Sequence, residues 1–213
     1  MPDIVSDAAK IDRPKAVQIL QGAMPEFLAH GYARTSMDRV AKAAGVSKQT
    51  LYSYFADKEG LFTALVQQIA REKFRLVWSQ PLSGEPEVVL RRIAQHLLHD
   101  KVFDADYLNF CRLIVAESGK RPDLAKIFLS NISKPAIETL ARYFRAHPEL
   151  EFEDSKAAAT IFCGSLIYFV FNQEILHGKE AMPLSAEAIV DNLIALVLAN
   201  THSRSRKGSC DRA

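Results

Sequence analysis

The stretch TSMDRVAKAAGVSKQTLYSYF, residues 35–55, decides the fold of this chain. Apolar residues recur three and four positions apart on either side of Gly45, which is the pattern of two short helices rather than of strands. Thr35 or Ser36 can cap the first helix and Ser47 the second, because a hydroxyl there accepts a hydrogen bond from a free N–H group of the first turn. Gly45 supplies the left-handed turn residue between the two helices. The stretch therefore predicts a helix-turn-helix.

The second helix of this pair carries polar side chains on the side opposite Leu51 and Phe55. The first turns of such a helix can enter the major groove of DNA. Lys48 and Gln49 can bond to base edges, and the ring of Tyr52 can lie on a thymine methyl group. Neighbouring hydroxyls and a cation can reach phosphates. We predict DNA contacts from Thr35, Ser36, Ser47, Lys48, Gln49, Thr50, Tyr52, Ser53, Tyr54 and Lys58.

A structural helical hairpin whose polar residues face water is the alternative interpretation of this stretch. For a short helix–glycine–helix pattern taken alone it is the more frequent one. It does not explain why two tyrosines and a Lys-Gln-Thr cluster lie on the exposed side of a helix of only two turns, or why a capped cation, Lys58, follows directly. We therefore favour the DNA-binding interpretation.

The rest of the chain also has helical periodicity, and no segment alternates strictly between apolar and polar residues. A first helix should be kinked by Pro25 and stop at Gly31. Residues 157–173 fall short of the roughly 20 apolar residues of a membrane span and predict a buried helix. The predicted fold class is all-α, with nine helices in two domains. Further helices are expected at 36–44, 47–54, 57–80, 86–100, 104–119, 123–147, 154–177 and 185–200.

Charge is distributed unevenly along the chain. Residues 1–80 contain 11 Lys and Arg against 8 Asp and Glu, and residues 81–200 contain 12 against 16. A basic N-terminal part joined to an acidic remainder is typical of a nucleic-acid-binding module fused to another module. The tail, residues 201–213, is rich in Ser and Arg without an apolar face, and it is predicted to be disordered.

A set of positions within residues 14–65 occurs in a characteristic spacing: Phe27, Gly31, Tyr32, Thr35, Ser36, Val40, Ala41, Ala44, Gly45, Val46, Ser47, Thr50, Leu51, Tyr52, Phe55, Lys58, Glu59 and Leu61. This set resembles the DNA-binding domain of the TetR (tetracycline repressor) family. The resemblance implies three N-terminal helices for DNA and six more for ligand binding and dimerisation. It also implies groove contacts from Lys48, Gln49 and Tyr52, and phosphate contacts from Ser36, Thr50, Ser53, Tyr54 and Lys58.

The C-terminal part, through Phe110, Ile114, Glu117 and Pro122, more loosely resembles the AefR-like subgroup of that family. The expected division of the chain is an N-terminal arm, a helix-turn-helix domain, a connecting helix, a ligand-binding and dimerisation domain, and a basic tail. These parts are expected at residues 1–13, 14–56, 57–80, 81–200 and 201–213.

The last two predicted helices have wide apolar surfaces. Residues 157–171 are apolar nearly all round, and such a helix must be covered on every side. Two such helices from each subunit would form a four-helix dimer interface, which the family resemblance also implies. The alternative is a monomer in which the two helices only complete its own core. The predicted interface consists of Ile167, Phe171, Ile189, Leu193, Leu196 and Val197.

Apolar side chains between the middle helices are candidates for a ligand cavity. For any one of them a packed core side chain is the ordinary interpretation, and only the architecture implied by the resemblance argues for a ligand. Tyr107, Arg112, Glu117 and Asn172 could orient a small apolar or amphipathic effector. The predicted pocket consists of Phe103, Tyr107, Phe110, Cys111, Ile114, Phe128, Phe162, Cys163 and Tyr168.

The remaining sequence features point away from catalysis. No phosphate loop or nucleophile elbow occurs. His96 and His99 have a spacing that could begin a metal site, but nothing nearby completes it, so we expect no cofactor and no bound metal. Three widely spaced cysteines and a polar start favour a reducing, cytoplasmic location away from membranes. The sequence predicts a homodimeric repressor that binds a near-palindromic double-stranded DNA operator and is released by a small-molecule effector. A helical adaptor that binds protein is the alternative, and an enzyme has least support.

Overall fold

The computed structural model describes residues 13–78, 80–98 and 102–207, with side chains as far as residue 199. Within these ranges the chain forms nine helices and no strand, which confirms the all-α prediction. The helices in chain order are α1 (Pro14–Arg34), α2 (Met37–Ala43), α3 (Lys48–Tyr54), α4 (Lys58–Trp78), α5 (Pro86–Leu98), α6 (Ala105–Ser118), α7 (122–146), α8 (Ser155–Ile175) and α9 (Ala186–Lys207).

The first three helices belong to a compact unit that contains the described residues up to Glu72 together with Asn109–Asn131. Its core is aromatic, since Phe27, Phe62 and Phe110 are fully buried. Phe62 packs edge-on against Phe27, with ring centroids 5.3 Å apart, and stacks on Phe110 at 5.6 Å. Such pairs add about 0.5–1.5 kcal/mol beyond the burial of their area. The packing of Phe110 explains why this part of α6 joins the N-terminal helices, although chain order grouped it with the C-terminal domain.

Helix α1 begins at Pro14, which is tolerated there because a first-turn N–H has no partner within the helix. The helix continues through Pro25, and its departure from helical dihedral angles lies at Gly31, where φ is 71°. Glycine adopts this conformation without steric cost. The helix is interrupted at Gly31, as the sequence predicted, although a further helical turn follows and ends at Arg34. At Pro25 the dihedral angles stay helical.

The second compact unit comprises the described residues of Lys73–Leu108 and of Ile132–Ala213. The Tyr143 hydroxyl donates to the carbonyl oxygen of Gly84 over 3.0 Å, which fixes the turn before α5. Burial raises the pKa of Tyr143 to about 12, so this donor stays protonated at neutral pH. The core of the unit draws on α5, α7, α8 and α9 and includes Leu90, Leu140, Phe162 and Ile194.

Helix α7 contains one irregular turn. Its α-helical parts, Pro122–Phe128 and Lys134–Ala146, are joined by a π-helical turn at Leu129–Ser133. Pro135 lies just after this turn, and a proline cannot donate to a carbonyl in the preceding helical turn and collides with it. A wider π turn before the proline relieves this conflict. The single helix predicted for 123–147 is therefore present, with a local irregularity.

The C-terminal end of the chain departs from prediction. Helix α9 continues to Lys207 instead of ending near residue 200, so the predicted disorder of 201–213 is wrong for residues 201–207. No glycine or proline lies between Ala186 and Lys207, and Arg and Lys favour helix, so nothing local stops the helix. The rest of the tail, and residues 1–12 of the predicted arm, lie outside the described residues.

Candidate nucleic-acid interface

Both short helices begin with a serine cap, as predicted. The Ser36 hydroxyl oxygen accepts the N–H of Arg39 over 3.3 Å, and the Ser47 hydroxyl oxygen accepts the N–H of Thr50 over 3.0 Å. Gly45 has a φ of 63°, so it forms the left-handed turn between the helices. A cap of this kind contributes about 1 kcal/mol, which matters for helices of only seven residues.

Close contact with α1 fixes the position of the helix pair. A Cβ atom on Gly22 would lie only 2.7 Å from the backbone of Ala44, so glycine permits the approach of α1 to the end of α2. The Gln18 amide donates to the carbonyl oxygen of Ala44 over 2.7 Å and satisfies one of the free carbonyls at that end. The core-facing residue Leu51 is fully buried and anchors α3 from beneath.

The outward side of α3 carries the predicted groove contacts. Lys48, Gln49 and Ser53 are exposed, and half of the Tyr52 surface is accessible. Thr50 and Tyr54 are partly exposed at the edges of the same surface. Ser36 and Ser47 are exposed beside it. These eight predicted residues are therefore all exposed or partly exposed, and their contacts with DNA remain predictions.

The Lys48 ammonium pairs with the carboxylate of Asp38 on α2, with the two atoms 2.5 Å apart. Both side chains are largely exposed. Asp38 is the only acidic residue between residues 27 and 56. The pair therefore connects the start of α3 to the first turn of α2, and the sequence alone did not predict it.

Thr35 does not belong to the exposed surface. Only 3% of it is accessible. Its hydroxyl donates to the carbonyl oxygens of Gly31, over 2.8 Å, and Glu26, over 3.0 Å. A buried hydroxyl held in this way cannot reach a phosphate, so the prediction of a DNA contact from Thr35 is corrected. Its role is to close the turn after the Gly31 kink.

Lys58, at the start of α4, has internal partners. Its ammonium donates to the carbonyl oxygens of Tyr32, Ala33 and Thr35 over 2.8, 3.1 and 3.0 Å. These three bonds use all the hydrogens of an ammonium group. Burial lowers the pKa of Lys58, and the nearby charge of Arg121 lowers it further. A phosphate contact would require Lys58 to give up one of these bonds.

Cations on α2 extend the exposed surface in a way that the sequence prediction missed. Arg39 and Lys42 lie on α2 and are exposed. Their spacing of three residues, opposite the buried Val40 and Ala41, was the signal in the sequence that could have identified them. They add positive charge next to α3, which favours a polyanion.

The predicted pocket residues are divided between the two compact units. Phe110, Cys111, Ile114 and Phe128 lie in the first, whereas Phe103, Tyr107, Phe162 and Cys163 lie in the second. Tyr168 is 64% exposed, so its assignment to a pocket is corrected. It lies two positions from the buried Leu166, which places it on the opposite side of α8. Burial raises the pKa of Cys163 to about 12, so its thiol is unreactive at neutral pH.

A groove of about 430 Å³ in the second unit lies between α5 and α9. None of the predicted pocket residues lines it. Its walls are Arg91, Gln95, Leu98, Ala186, Glu187, Val190 and Asp191.

Two family sequence models match the chain. The model for bacterial regulatory proteins of the tetR family matches residues 19–65, which contain the helix-turn-helix. The model for the AefR-like transcriptional repressor C-terminal domain matches residues 88–200. The chain belongs to the TetR family. TetR-family regulators are DNA-binding repressors, and the structure has the two-part all-α architecture of that family.

Individual TetR-family relatives cover different parts of the chain. An uncharacterised regulator, YhgD of Bacillus subtilis, is 44% identical over 62 residues, which is 29% of this chain and 31% of YhgD. The regulator BetI of Stenotrophomonas maltophilia is 28% identical over 171 residues, 75% of this chain and 87% of BetI. The solved structure of the flavonoid-responsive regulator FrrA superposes on this chain with a TM-score of 0.71 and a sequence identity of 33%. The superposition covers 87% of this chain and 95% of the FrrA chain.

The second unit of this TetR-family chain exposes apolar side chains on its last two helices. Ile161 and Tyr168 on α8 and Leu196 on α9 are 66%, 64% and 73% exposed. The predicted interface residue Ile167 is also exposed, and Phe171 is partly buried. Isolated exposed apolar residues are common, whereas larger apolar patches on a protein surface often mark interaction sites.

Three other predicted interface residues face inward. Leu193 is buried in the core of the second unit, and Ile189 and Val197 pack against that core. Their side of α9 is already covered by the same chain, so the assignment of Leu193 to a dimer interface is corrected. The outward side of α9 carries Leu196, which is also one of the predicted interface residues.

Helix α8 is apolar enough to raise the question of a membrane. Among the described residues it is the one helix that is long and apolar enough to span a bilayer, and 33% of its most apolar stretch is buried. The uncharged stretch 157–173 is shorter than that, and the helix meets the criterion because it extends beyond the stretch at both ends, to Ser155 and Ile175. The core helix of a water-soluble protein meets the same criterion, so length and composition alone do not establish a membrane span.

Proposed function

We propose that this protein is a ligand-responsive repressor that binds a near-palindromic operator as a homodimer in the cytoplasm. The observation that carries the proposal is the exposed surface of α3, where Lys48, Gln49 and Tyr52 lie on a capped helix whose other side is anchored by the buried Leu51. This combination of a rigid helix with hydrogen-bond donors and a flat ring suits readout of base edges in a major groove.

The homodimer is supported by the exposed apolar residues of α8 and α9. Ile161, Tyr168 and Leu196 would be covered if the same two helices of a second copy packed against them. Two helix-turn-helix units in a symmetric dimer would then reach half-sites roughly 34–36 Å apart, or a multiple of that spacing. A single unit with one short recognition helix offers too few contacts for a specific site.

The effector is proposed to be a small apolar or amphipathic molecule that binds among helices α5 to α8. FrrA, which covers most of this chain, is named for its response to flavonoids, which are flat aromatic compounds. Two of the four predicted pocket side chains in the first unit are aromatic, and so are three of the four in the second, including Phe103 and Tyr107, whose rings lie 5.5 Å apart. Aromatic walls of this kind favour flat apolar ligands.

Helix α4 is proposed to couple effector binding to DNA binding. It contributes residues up to Glu72 to the first compact unit and residues from Lys73 onward to the second. Near its end Phe74 stacks on Trp78, with ring centroids 5.8 Å apart. Coupling between two sites is typically worth about 1–3 kcal/mol, which changes affinity about 5- to 150-fold.

A gel-shift titration with duplex DNA from upstream of the gene tests DNA binding. We expect retardation that weakens steeply between two salt concentrations, because cations that neutralise phosphates release counterions. A protein-binding adaptor would show no such salt-dependent affinity, and that result would refute the proposal.

A fluorescence titration tests the effector. Trp78 is the only tryptophan, so its emission reports on the second unit without a label. We expect a flavonoid or a fatty acid from a panel of apolar ligands to change this emission and to weaken DNA retardation. A ligand that binds without any change in DNA affinity would argue against regulation.

A further inference from the structure

The corner between α6 and α7 is bonded to the end of α1. Glu117, in the last turn of α6, accepts the backbone N–H of Tyr32 through its carboxylate oxygen over 3.1 Å. The carbonyl oxygen of Glu117 also accepts the N–H groups of Lys120 and Arg121, which closes the corner itself. A residue 85 positions away in the chain therefore satisfies a main-chain donor in the helix that precedes the helix-turn-helix.

Gly31 makes room for this bond. A Cβ atom at Gly31 would lie 3.1 Å from the same carboxylate oxygen of Glu117, closer than side chains normally approach. Its φ of 71° also presents the backbone of the next residue, Tyr32, at the kink. The kink at Gly31 and the approach of the Glu117 carboxylate to it therefore both require a residue without a side chain at position 31.

Arg121, the residue directly before α7, contacts Tyr32 as well. Its guanidinium lies 4.6 Å from the centre of the Tyr32 ring and 3.3 Å from the carboxylate of Glu59 on α4. Asp123 holds the guanidinium in a fork, with Nε 3.0 and 3.1 Å from the two carboxylate oxygens. These bonds to Asp123 raise the pKa of Arg121, so the group is permanently charged.

The segment 31–35, which contains Tyr32, leads directly into α2 and α3. Residues 31–35 form the kink and the turn, and Ser36 then caps α2. Lys58 holds the carbonyls of the same segment and lies 4.7 Å from the centre of the Tyr32 ring. The direction in which the chain enters α2 is thus set by contacts from α4, α6 and α7 together.

We propose that Glu117 and Arg121 are positioning residues for DNA binding, acting on α2 and α3 through the segment 31–35. The inference rests on the proposed operator binding. It assigns to Glu117 a different role from the effector contact that its sequence position suggested. DNA affinity would then depend on a corner that lies more than 60 residues beyond the recognition helix in the sequence.

A purely stabilising role is the competing explanation, and the exposure of the groups argues against it. The side chains of Arg121, Asp123 and Glu59 are 36%, 42% and 57% exposed. Exposed ion pairs contribute little to the free energy of unfolding. The loss of Arg121 should therefore alter the position of the segment more than it alters global stability.

The test compares Glu117→Ala and Arg121→Ala with Lys120→Ala, which removes an exposed positive charge from the same corner. Fluorescence anisotropy measures the dissociation constant for the upstream duplex, and thermal unfolding measures stability. Hydrogen exchange measures protection of the Tyr32 amide. We expect at least about fivefold weaker DNA binding for both test variants, faster exchange at Tyr32 for Glu117→Ala, and wild-type behaviour for Lys120→Ala. Glu117→Gln, which keeps an acceptor oxygen, should retain most of the affinity.

Three results would overturn the inference. The first is unchanged DNA affinity in both test variants. The second is a loss of affinity that simply follows a loss of thermal stability, including in Glu117→Gln and the milder Arg121→Lys. The third is an equal loss in Lys120→Ala, which would show a general effect of charge. If the wild-type chain itself fails to bind the duplex, the proposed function is refuted instead, and the two failures are distinguishable.

Discussion

Lys58 donates its three ammonium hydrogens to carbonyl oxygens of the segment that follows the α1 kink. The sequence correctly predicted that Lys58 lies at the start of a helix, directly after Asp57, a position from which a phosphate contact was expected. It could not reveal the carbonyl partners, because they lie 23 to 26 residues away and are brought there by the fold. Thr35 was misassigned for the same reason. The caps Ser36 and Ser47 were predictable because their partners lie within three residues.

Lys58→Ala should therefore lower stability as well as DNA affinity. Removal of the ammonium leaves carbonyl oxygens without a partner, so we expect the free energy of unfolding to fall by about 1.5–3 kcal/mol. Lys42→Ala, which removes an exposed cation from α2, should leave stability nearly unchanged. The dependence of DNA affinity on salt distinguishes the roles. If Lys58 contacts a phosphate, its loss should reduce the slope of log affinity against log salt concentration by about 1. If Lys58 only holds the carbonyl oxygens of its own chain, the slope should stay unchanged.

Lys48 and Tyr52 should carry sequence preference. We expect Lys48→Ala and Tyr52→Ala each to lose about 1–3 kcal/mol of discrimination between the operator and mixed-sequence DNA, because both side chains are exposed on the outward side of α3. Competition gel shifts measure the ratio of the two affinities. Full retention of selectivity in both variants would show that α3 does not read the operator.

Asp38→Asn probes the partner of Lys48. The carboxylate repels phosphates and holds the lysine in the free protein, so its removal should strengthen binding to mixed-sequence DNA more than binding to the operator. Exposed pairs contribute at most about 1 kcal/mol, so the expected gain is up to about fivefold. Weaker binding to both duplexes would indicate instead that Asp38 orients Lys48 for DNA.

At the scale of elements, the helices were predictable and their irregularities less so. Periodicity located all nine, because each buries one side and repeats every three or four residues. The predicted helix ends were wrong where no glycine or proline stops the helix, as in α9, which continues beyond residue 200. The contact of Gly22 with Ala44 was also missed, since glycine in a helix gives no sign of which neighbour it admits.

Gly22→Ala should separate α1 from α2. The added methyl group would lie 2.7 Å from the Ala44 backbone, so the helices must move apart, at a cost of about 1–3 kcal/mol. Gly60→Ala is the matched control. Its added Cβ meets only an ordinary contact of 3.4 Å with Asp57, and alanine favours helix, so stability should stay the same or rise. Thermal unfolding measures both. Equal stability of the two variants would mean that α1 and α2 accommodate the methyl group.

At the scale of the whole molecule, the sequence predicted two parts but not which residues belong to each. Residues 109–131 joined the N-terminal unit because the partners of Phe110 and Glu117 lie on α4 and α1, a long-range arrangement that periodicity cannot reveal. The apolar character of α8 and α9 was evident from the sequence. Which residues face outward was only partly evident, because a wide apolar stripe has both a core side and an exposed side.

Substitutions at Leu196 and Leu193 on α9 distinguish an effect on dimer formation from an effect on folding. Leu196 is 73% exposed, so Leu196→Arg should leave the monomer folded and prevent another copy from packing against α9. Leu193 lies in the core of the second unit, so Leu193→Arg would bury an unpaired charge and unfold that unit at a cost of several kcal/mol. Val88→Arg, at another exposed apolar residue but on α5, is the control. Sedimentation at micromolar concentration should show a dimer for the wild type and Val88→Arg and a folded monomer for Leu196→Arg. A dimer that survives Leu196→Arg would exclude the outward side of α9 from the interface, and a monomeric wild type would exclude the homodimer itself.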